Sequence, residues 1–249
     1  MGLATTTETS ILPTTSMSPE PAVRSSINWA TIIGLLISAI VLLLAGRELE
    51  MWYRFEGVIK ASRLIERGER LETKTVMELA KLADTMIPSK VCNTDLLKAG
   101  TTLVLGRLEY TSSRQDYDAW LTSIRKADAF LRHALACVPE QGNFWARLAM
   151  VRQQLAEEPE EVLKLLELSQ HYAPAELTAI KGRLLVVQKA SSITLQRVAS
   201  ILSNDLAVIC RPQNMWTSMR FPKPSRLLMQ YLPSSPANTH RSKNPWCAS

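Results

Sequence analysis

Residues 29–45 read WATIIGLLISAIVLLLA, an uninterrupted run without a charged side chain. An α-helix of about 20 apolar residues is long enough to cross the hydrocarbon core of a bilayer, and this segment approaches that length. Trp29 at one end, and Trp52 with Tyr53 beyond the other, suit the two membrane–water interfaces. The sequence therefore predicts one transmembrane helix over residues 27–46, with the lipid bilayer as its partner.

A cleaved signal peptide is the alternative interpretation of this run. The charged region of a signal peptide is basic, whereas Arg24 is the only basic side chain before the run. The run is also longer than the usual apolar stretch of about 7–15 residues. Arg47 and Glu48 follow it at once, where a cleavage site would need small residues. An uncleaved anchor is favoured.

Gly34 and Ser38 form a pair of small residues four positions apart within the predicted span. This spacing lets two membrane helices pack closely. Such pairs also arise by chance in apolar helices, so the sequence leaves open whether a homodimer forms through these two residues.

Composition divides the rest of the chain into four segments. Residues 1–26 are rich in Ser, Thr and Pro and poor in large apolar side chains, which predicts a disordered head. A helical stalk is expected over 47–70 and a helical domain over 73–211, which is long enough for one core. Residues 212–249 are rich in proline and predict an irregular tail, with a short amphipathic helix near its middle.

The net charge is +6, and the basic residues before the tail are mostly interleaved with acids. That mixture argues against a nucleic-acid interface on the domain. The chain after Asp205 has no acid and carries six cations: Arg211, Arg220, Lys223, Arg226, Arg241 and Lys243. Binding of anionic lipid or nucleic acid through this basic tail is therefore an alternative function, with a steep salt dependence as its signature.

An all-α fold is expected for the domain. The chain has only nine Gly and few aromatic residues, while helix-forming residues are abundant. Capping residues and prolines predict where the helices begin and end. A Thr75–Glu78 capping box would start a helix that runs to Pro88, and Asn93 would cap a helix over 94–110. Further helices are predicted over 117–137, over 144–157, from Pro159 to about Pro174, and from Ser192 to before Pro212.

Two segments of the domain share a pattern of small and bulky residues. The pattern comprises Ala127, Leu131, Ala134 and Pro139, then Trp145, Leu148 and Ala149, and finally Leu166, Ser169 and Pro174. It resembles the tetratricopeptide repeat, a helix-turn-helix unit of about 34 residues. Pro139 and Pro174 lie 35 positions apart, near that period. The sequence departs from the family at Arg152, where an aromatic is usual, and lacks the Gly beside Leu148.

The resemblance implies antiparallel helix-turn-helix hairpins and a concave surface that binds a peptide or protein partner. The chain is similar to small tetratricopeptide-like proteins of the bacterial envelope, some of which serve polysaccharide production and export. We therefore expect an interaction or scaffold protein at the bacterial inner membrane. A plain helical bundle without repeat function is the alternative fold.

The sequence contains no motif for catalysis, for a cofactor or for a metal. His133 lies four residues before Cys137 and could share a helix face with it, but two ligands do not make a zinc site. There is no phosphate loop, dinucleotide turn or nucleophile elbow. We expect no catalytic, cofactor-binding or metal-binding residues, although an enzyme with an unmarked site stays an alternative.

Cys92 and Cys137 are placed symmetrically about the loop near residue 114 that joins two predicted helices. Residues equidistant from the turn of an antiparallel hairpin lie side by side, within the Cα separation of about 4.4–6.8 Å that a disulfide needs. Two buried thiols are the alternative. Cys210 and Cys247 have no such symmetry and are expected to be free.

Membrane topology is predicted from opposing signals. Four basic residues follow the span within about 20 positions (Arg47, Arg54, Lys60 and Arg63), against Arg24 before it. By the positive-inside rule these would place the domain in the cytoplasm. A disulfide instead requires an oxidising compartment. Because we expect the Cys92–Cys137 pair to be bonded, we predict a periplasmic domain.

Overall fold

The computed structural model describes residues 29–111, 114–210, 223–230 and 246–247. Over these residues the regular secondary structure is entirely helical, which confirms the predicted all-α class. The chain divides into two units, Met1–Glu50 and Met51–Ser249. The predicted disordered head lies outside the described residues.

The first unit contains the apolar run as the start of helix α1 (Trp29–Glu66). Its large side chains are open to the surroundings, with Leu42 and Leu43 71% and 70% exposed. This helix is long and apolar enough to cross a membrane, although a signal sequence near an N-terminus meets the same description. No heavy atom outside the helix's own backbone lies within 4 Å of the position that a Cβ on Gly34 would take.

The second unit takes up the rest of α1. Phe55, Val58 and Ala61 are buried there, so this part of the predicted stalk contributes to the core. The helix ends just before Gly68, whose φ of 85° lies in the left-handed region that glycine adopts without steric cost. The Gly68 N–H donates to the Ile65 carbonyl at 2.9 Å, which closes the last turn.

Nine further helices are described in the second unit. They are α2 (Thr73–Asp84), α3 (Thr94–Tyr110), α4 (Tyr117–Cys137), α5 (Gly142–Leu155), α6 (Pro159–Tyr172), α7 (Leu177–Lys189), α8 (Ser192–Arg197), α9 (Ala199–Ile209) and α10 (Arg226–Met229). Each of α2 to α6 packs on the helix that follows it in the chain. Helix α5 also packs on α7, and α6 packs on α8 and α9.

The boundaries of α3 and α4 agree with the sequence prediction. The Asn93 side chain accepts hydrogen bonds from the N–H groups of Asp95 and Leu96 at 3.1 and 3.2 Å, as its capping role requires. The prediction for α2 was wrong at both ends. Its N-cap is Glu72, so the Thr75–Glu78 pair lies inside the helix. The helix stops at Asp84, and the residues from 85 to 90 form turns, so the helix does not reach Pro88.

Helix α7 was missed, and the last predicted helix is two helices. No side chain caps α7 at Glu176, and Gly182 interrupts its helix-forming residues, so the sequence gives no local start signal. The cap of α8 is Ser191 rather than Ser192, with its hydroxyl accepting from the Thr194 N–H. Val198 then separates α8 from α9.

Two disulfides are present. Cys92 and Cys137 are bonded, with their Cα atoms 5.2 Å apart. Cys210 and Cys247 are also bonded, with Cα atoms 5.6 Å apart, so the prediction that they are free was wrong. The two cysteines are 37 positions apart, and no local pattern around either of them signals the pairing.

The described parts of the tail pack against the second unit. Leu228 and Trp246 are 0% and 1% exposed and belong to the core. Helix α10 supplies Leu228, and the Gln188 side chain of α7 donates to the Lys223 carbonyl at 2.6 Å. The tail is therefore fixed to the domain at these points.

Candidate interaction site

The residues that carry the repeat pattern are mostly packing residues. On α4, α5 and α6 the buried members are Ala127, Leu131, Ala134, Leu148, Ala149, Leu166 and Ser169. Trp145 is half-buried, and its indole N–H donates to the Pro139 carbonyl at 2.7 Å. Pro139 and Pro174 are exposed in the turns that follow α4 and α6. None of the buried side chains is positioned to contact a ligand.

Helices α4 and α6 end in the same backbone conformation. The residue after α4, Val138, has φ −140° and ψ 70°. The residue after α6, Ala173, has φ −142° and ψ 64°. Each donates its N–H to the carbonyl four positions earlier, of Ala134 and Ser169 respectively. Each also precedes a proline, which disfavours continued helix at the residue before it.

The helices that follow these turns approach their neighbours closely at glycine. A Cβ on Gly142 would lie 2.4 Å from the Cβ of Ala173 and 2.7 Å from the Ser169 carbonyl oxygen, so the start of α5 touches the end of α6. A Cβ on Gly182 would lie 3.0 Å from the Ala146 Cβ. Small residues therefore set the spacing of α5 from both α6 and α7.

Arg152, which replaces the aromatic of the family pattern, joins three helices. Its Nη2 donates to Asp128 Oδ2 of α4 at 3.4 Å. Its Nε lies 2.7 Å from Asp128 Oδ1, without hydrogen-bond alignment, and 3.6 Å from Glu161 of α6. Arg152 thus forms an ion-pair network with carboxylates of the helices on both sides of α5.

Helices α5 and α7 run parallel. Gln153 of α5 donates to the Val186 carbonyl of α7 at 3.1 Å, while Ala146 faces Gly182. The contact positions therefore ascend together along the two helices. On each helix, the residues next to the contact positions flank the contact on one side, at about 100° of rotation per residue. Because the two helices are parallel, the flanking residues of α5 and α7 on that side face in the same direction.

These flanks form what we call the α5–α7 surface. It consists of Asn143, Arg147, Met150 and Gln154 on α5, and Lys181, Leu185 and Gln188 on α7, all half-buried or exposed. Its charged members are Arg147 and Lys181, and it contains no carboxylate. Among the described residues no carboxylate forms an ion pair with Arg147, and burial lowers the pKa of its guanidinium. The surface is basic, with two apolar side chains between its polar ones.

A cleft of about 500 Å³ opens elsewhere, between α2, α3 and α4. The Arg107 side chain in its lining is held in place by Asp84, because it donates to both carboxylate oxygens at 2.8 and 3.3 Å. Lys126 Nζ lies 3.5 Å from the same carboxylate. The lining carries three cations (Lys81, Arg107 and Lys126) and two carboxylates (Asp116 and Asp118). With Asp84, the positive and negative charges are equal in number and select no ligand class.

A buried ion pair lies where α6, α7 and α9 meet. Arg183 Nε and Nη2 donate to the two oxygens of Asp205 at 2.8 and 2.7 Å, and Nη1 donates to Ser169 Oγ at 3.0 Å. Burial raises the pKa of the Asp205 carboxyl, and hydrogen bonds from Arg183 and Gln170 oppose that rise. The Arg183 and Asp205 side chains are each 1% exposed, so the pair joins α7 to α9 and is closed to ligands.

The residues weighed for metal binding have other partners. His133 Nε2 lies 2.9 Å from the Val91 carbonyl oxygen, and Cys137 is bonded to Cys92. Within the part of the chain that the structure describes, no three His, Cys, Asp or Glu side chains converge as a metal site. The absence of catalytic and cofactor residues stays a prediction.

Sequence reasoning missed the α5–α7 surface because α7 itself was missed. The tail contact was missed because Cys210 and Cys247 were treated as unpaired, although an even number of four cysteines in an expected oxidising compartment was a usable signal. No protein-family model, curated protein or solved structure matches the chain.

Proposed function

We propose that this protein is a membrane-anchored scaffold of tetratricopeptide-like construction, whose periplasmic domain holds a protein partner at the bacterial inner membrane. The observation that carries the proposal is the matching end of α4 and α6, at Val138 and Ala173. A repeated helix end followed by parallel helices α5 and α7 is what stacked helix-turn-helix units would produce.

The partner is proposed to dock an acidic segment on the α5–α7 surface. Arg147 and Lys181 supply positive charge without a carboxylate beside them on the surface, and Met150 and Leu185 supply apolar area. Charge complementarity of this kind steers association and selects partners. From the sequence resemblance, we further propose that the partner belongs to envelope polysaccharide production or export.

The anchor is proposed to be uncleaved α1. The open apolar side chains of its first part need a lipid environment, since an apolar patch of that size is unusual on a soluble protein. The periplasmic placement is supported by the Cys92–Cys137 and Cys210–Cys247 bonds, because disulfides persist in oxidising compartments. Dimerisation through Gly34 and Ser38 stays a prediction that cross-linking in membranes would test.

The test is recovery of the tagged full-length protein from detergent-solubilised membranes. We expect one stoichiometric partner with the native chain, and recovery of that partner reduced by about tenfold or more for Arg147→Glu combined with Lys181→Glu. The matched control is Lys164→Glu, an exposed charge reversal on α6 outside the surface. Native protein that is recovered alone, or equal losses in the control, would contradict the proposal.

A further inference from the structure

The tail reaches the α5–α7 surface at a described hydrogen bond. Gln188 belongs to this surface, and its side-chain amide donates to the Lys223 backbone carbonyl at 2.6 Å. The acceptor is a main-chain carbonyl, so this contact does not depend on the side chain at position 223. Residues 223–225 have no regular secondary structure and lead directly into α10.

Helix α10 has only four residues and depends on its surroundings. A helix this short is not stable in isolation, because nucleation costs more than one turn returns. The Ser225 hydroxyl accepts from the Leu228 N–H at 3.2 Å, and the Leu228 side chain is fully buried in the core. The segment is thus ordered by docking, with Leu228 as its apolar anchor.

Charge does not favour this docking. The α5–α7 surface carries Arg147 and Lys181, and residues 223–230 contain Lys223 and Arg226 with no acid. The segment must therefore be retained by something other than ionic attraction. Residues 211–222 already join the segment to α9, so its docking is intramolecular. The Cys210–Cys247 bond closes the chain across 37 positions, beyond both ends of the segment, and so limits the conformations that the undocked segment can take.

We infer that residues 223–230 form a strap over the α7 end of the α5–α7 surface, held there by the Cys210–Cys247 disulfide. The strap competes with the acidic segment of the partner for this surface. The apparent affinity of the partner falls accordingly, because the partner binds only those molecules in which the surface is uncovered. The competition rests on the proposed function, whereas the position of the strap and its tether do not.

The strap is tested by photo-cross-linking within the full-length protein. A photoreactive amino acid at Leu185 should form intramolecular cross-links to residues 223–230, detected as linked peptides by mass spectrometry. We expect these cross-links to fall by about tenfold in a Cys210→Ser, Cys247→Ser variant, because the undocked segment regains conformational freedom that the disulfide removes. The matched control, Cys92→Ser with Cys137→Ser, removes the other disulfide and should retain them.

A second variant pair leaves every cysteine in place and so guards against misfolding of the serine variants. Leu228→Asp should lose the cross-links, because it puts a charge in a fully buried position, whereas Met229→Asp should keep them, because Met229 is 43% exposed. Cross-links that are missing from the native chain, or unchanged after Leu228→Asp, would overturn the strap. Native cross-links together with an absent partner would instead contradict the proposed function alone.

Discussion

Arg183 and Asp205 form a fully buried ion pair with two hydrogen bonds between them. Both charges are removed from water, and each compensates the charge of the other. Loss of either side chain would leave a buried charge without a partner and lower the free energy of unfolding. Arg183 also donates to the Ala173 carbonyl at 3.2 Å, so its guanidinium contacts the end of α6 as well as α9.

Replacing Arg183 with Ala should lower the free energy of unfolding by about 3–5 kcal/mol, because it leaves a buried carboxylate without a partner. The matched control is Arg197→Ala, which removes an ion pair to Glu160 whose side chains are 58% and 69% exposed. That change should cost at most about 1 kcal/mol. Urea unfolding followed by circular dichroism measures both, and equal losses would show that the burial is not as described.

Glu157 predicts a pH dependence. Burial raises its pKa, but the Thr194 hydroxyl and the Ser191 N–H and hydroxyl bond to the carboxylate and bring the pKa below its ordinary value of 4.5. The folded state therefore favours the ionised form. The resulting stabilisation is present above about pH 4.5 and is lost as the pH falls through that value toward the folded pKa.

Urea unfolding at pH 6 and pH 4 should show a smaller loss of stability for Glu157→Gln than for the native protein. The amide keeps the shape of the side chain but does not titrate. Glu158→Gln, at an exposed neighbouring position, is the control and should follow the native curve. A native-like pH dependence in the Glu157 variant would show that this carboxylate does not cause the loss of stability at low pH.

At the scale of elements, the spacing of α5 from α6 depends on Gly142. An Ala there would bring its Cβ within 2.4 Å of the Ala173 Cβ, and backbone atoms of α6 leave no room for adjustment. Overpacking of this kind costs about 1–3 kcal/mol. We expect Gly142→Ala to lower the thermal midpoint by several degrees, about 4 °C or more at the upper end of that range.

Gly106→Ala is the contrasting substitution. Its Cβ would meet only Val76 Cγ1 at 3.6 Å, an ordinary contact, and α3 would gain a better helix former. The thermal midpoint should stay the same or rise. If both variants behave alike in differential scanning calorimetry, close approach of α5 and α6 is not what fixes their spacing.

The sequence predicts helices α3 and α4 because their ends carry local signals, such as the Asn93 cap and the break before Pro139. It does not predict α7, whose start lacks a capping side chain and whose burial comes from contacts with α5 and α9. The α5–α7 surface follows from those tertiary contacts. Local pattern therefore located the packing residues of the site but not the side chains that a partner would meet.

At the scale of the whole molecule, the cysteines connect distant parts of the chain. Each disulfide closes a loop, of 45 positions for Cys92–Cys137 and 37 for Cys210–Cys247. On the chain-entropy model each would stabilise the fold by about 4 kcal/mol. This contribution exists only in an oxidising compartment, so the fold and the proposed location of the domain support each other.

We propose that an uncleaved α1 anchors a doubly disulfide-bonded domain outside the cytoplasm. The direct measurement is the intact mass of the chain from alkaline-washed membranes, with thiols alkylated at the moment of cell lysis. We expect a chain that still contains residues 29–45, with none of its four cysteines alkylated before reduction and all four alkylated after it. A chain shortened by the whole apolar run, or four cysteines alkylated without reduction, would contradict it.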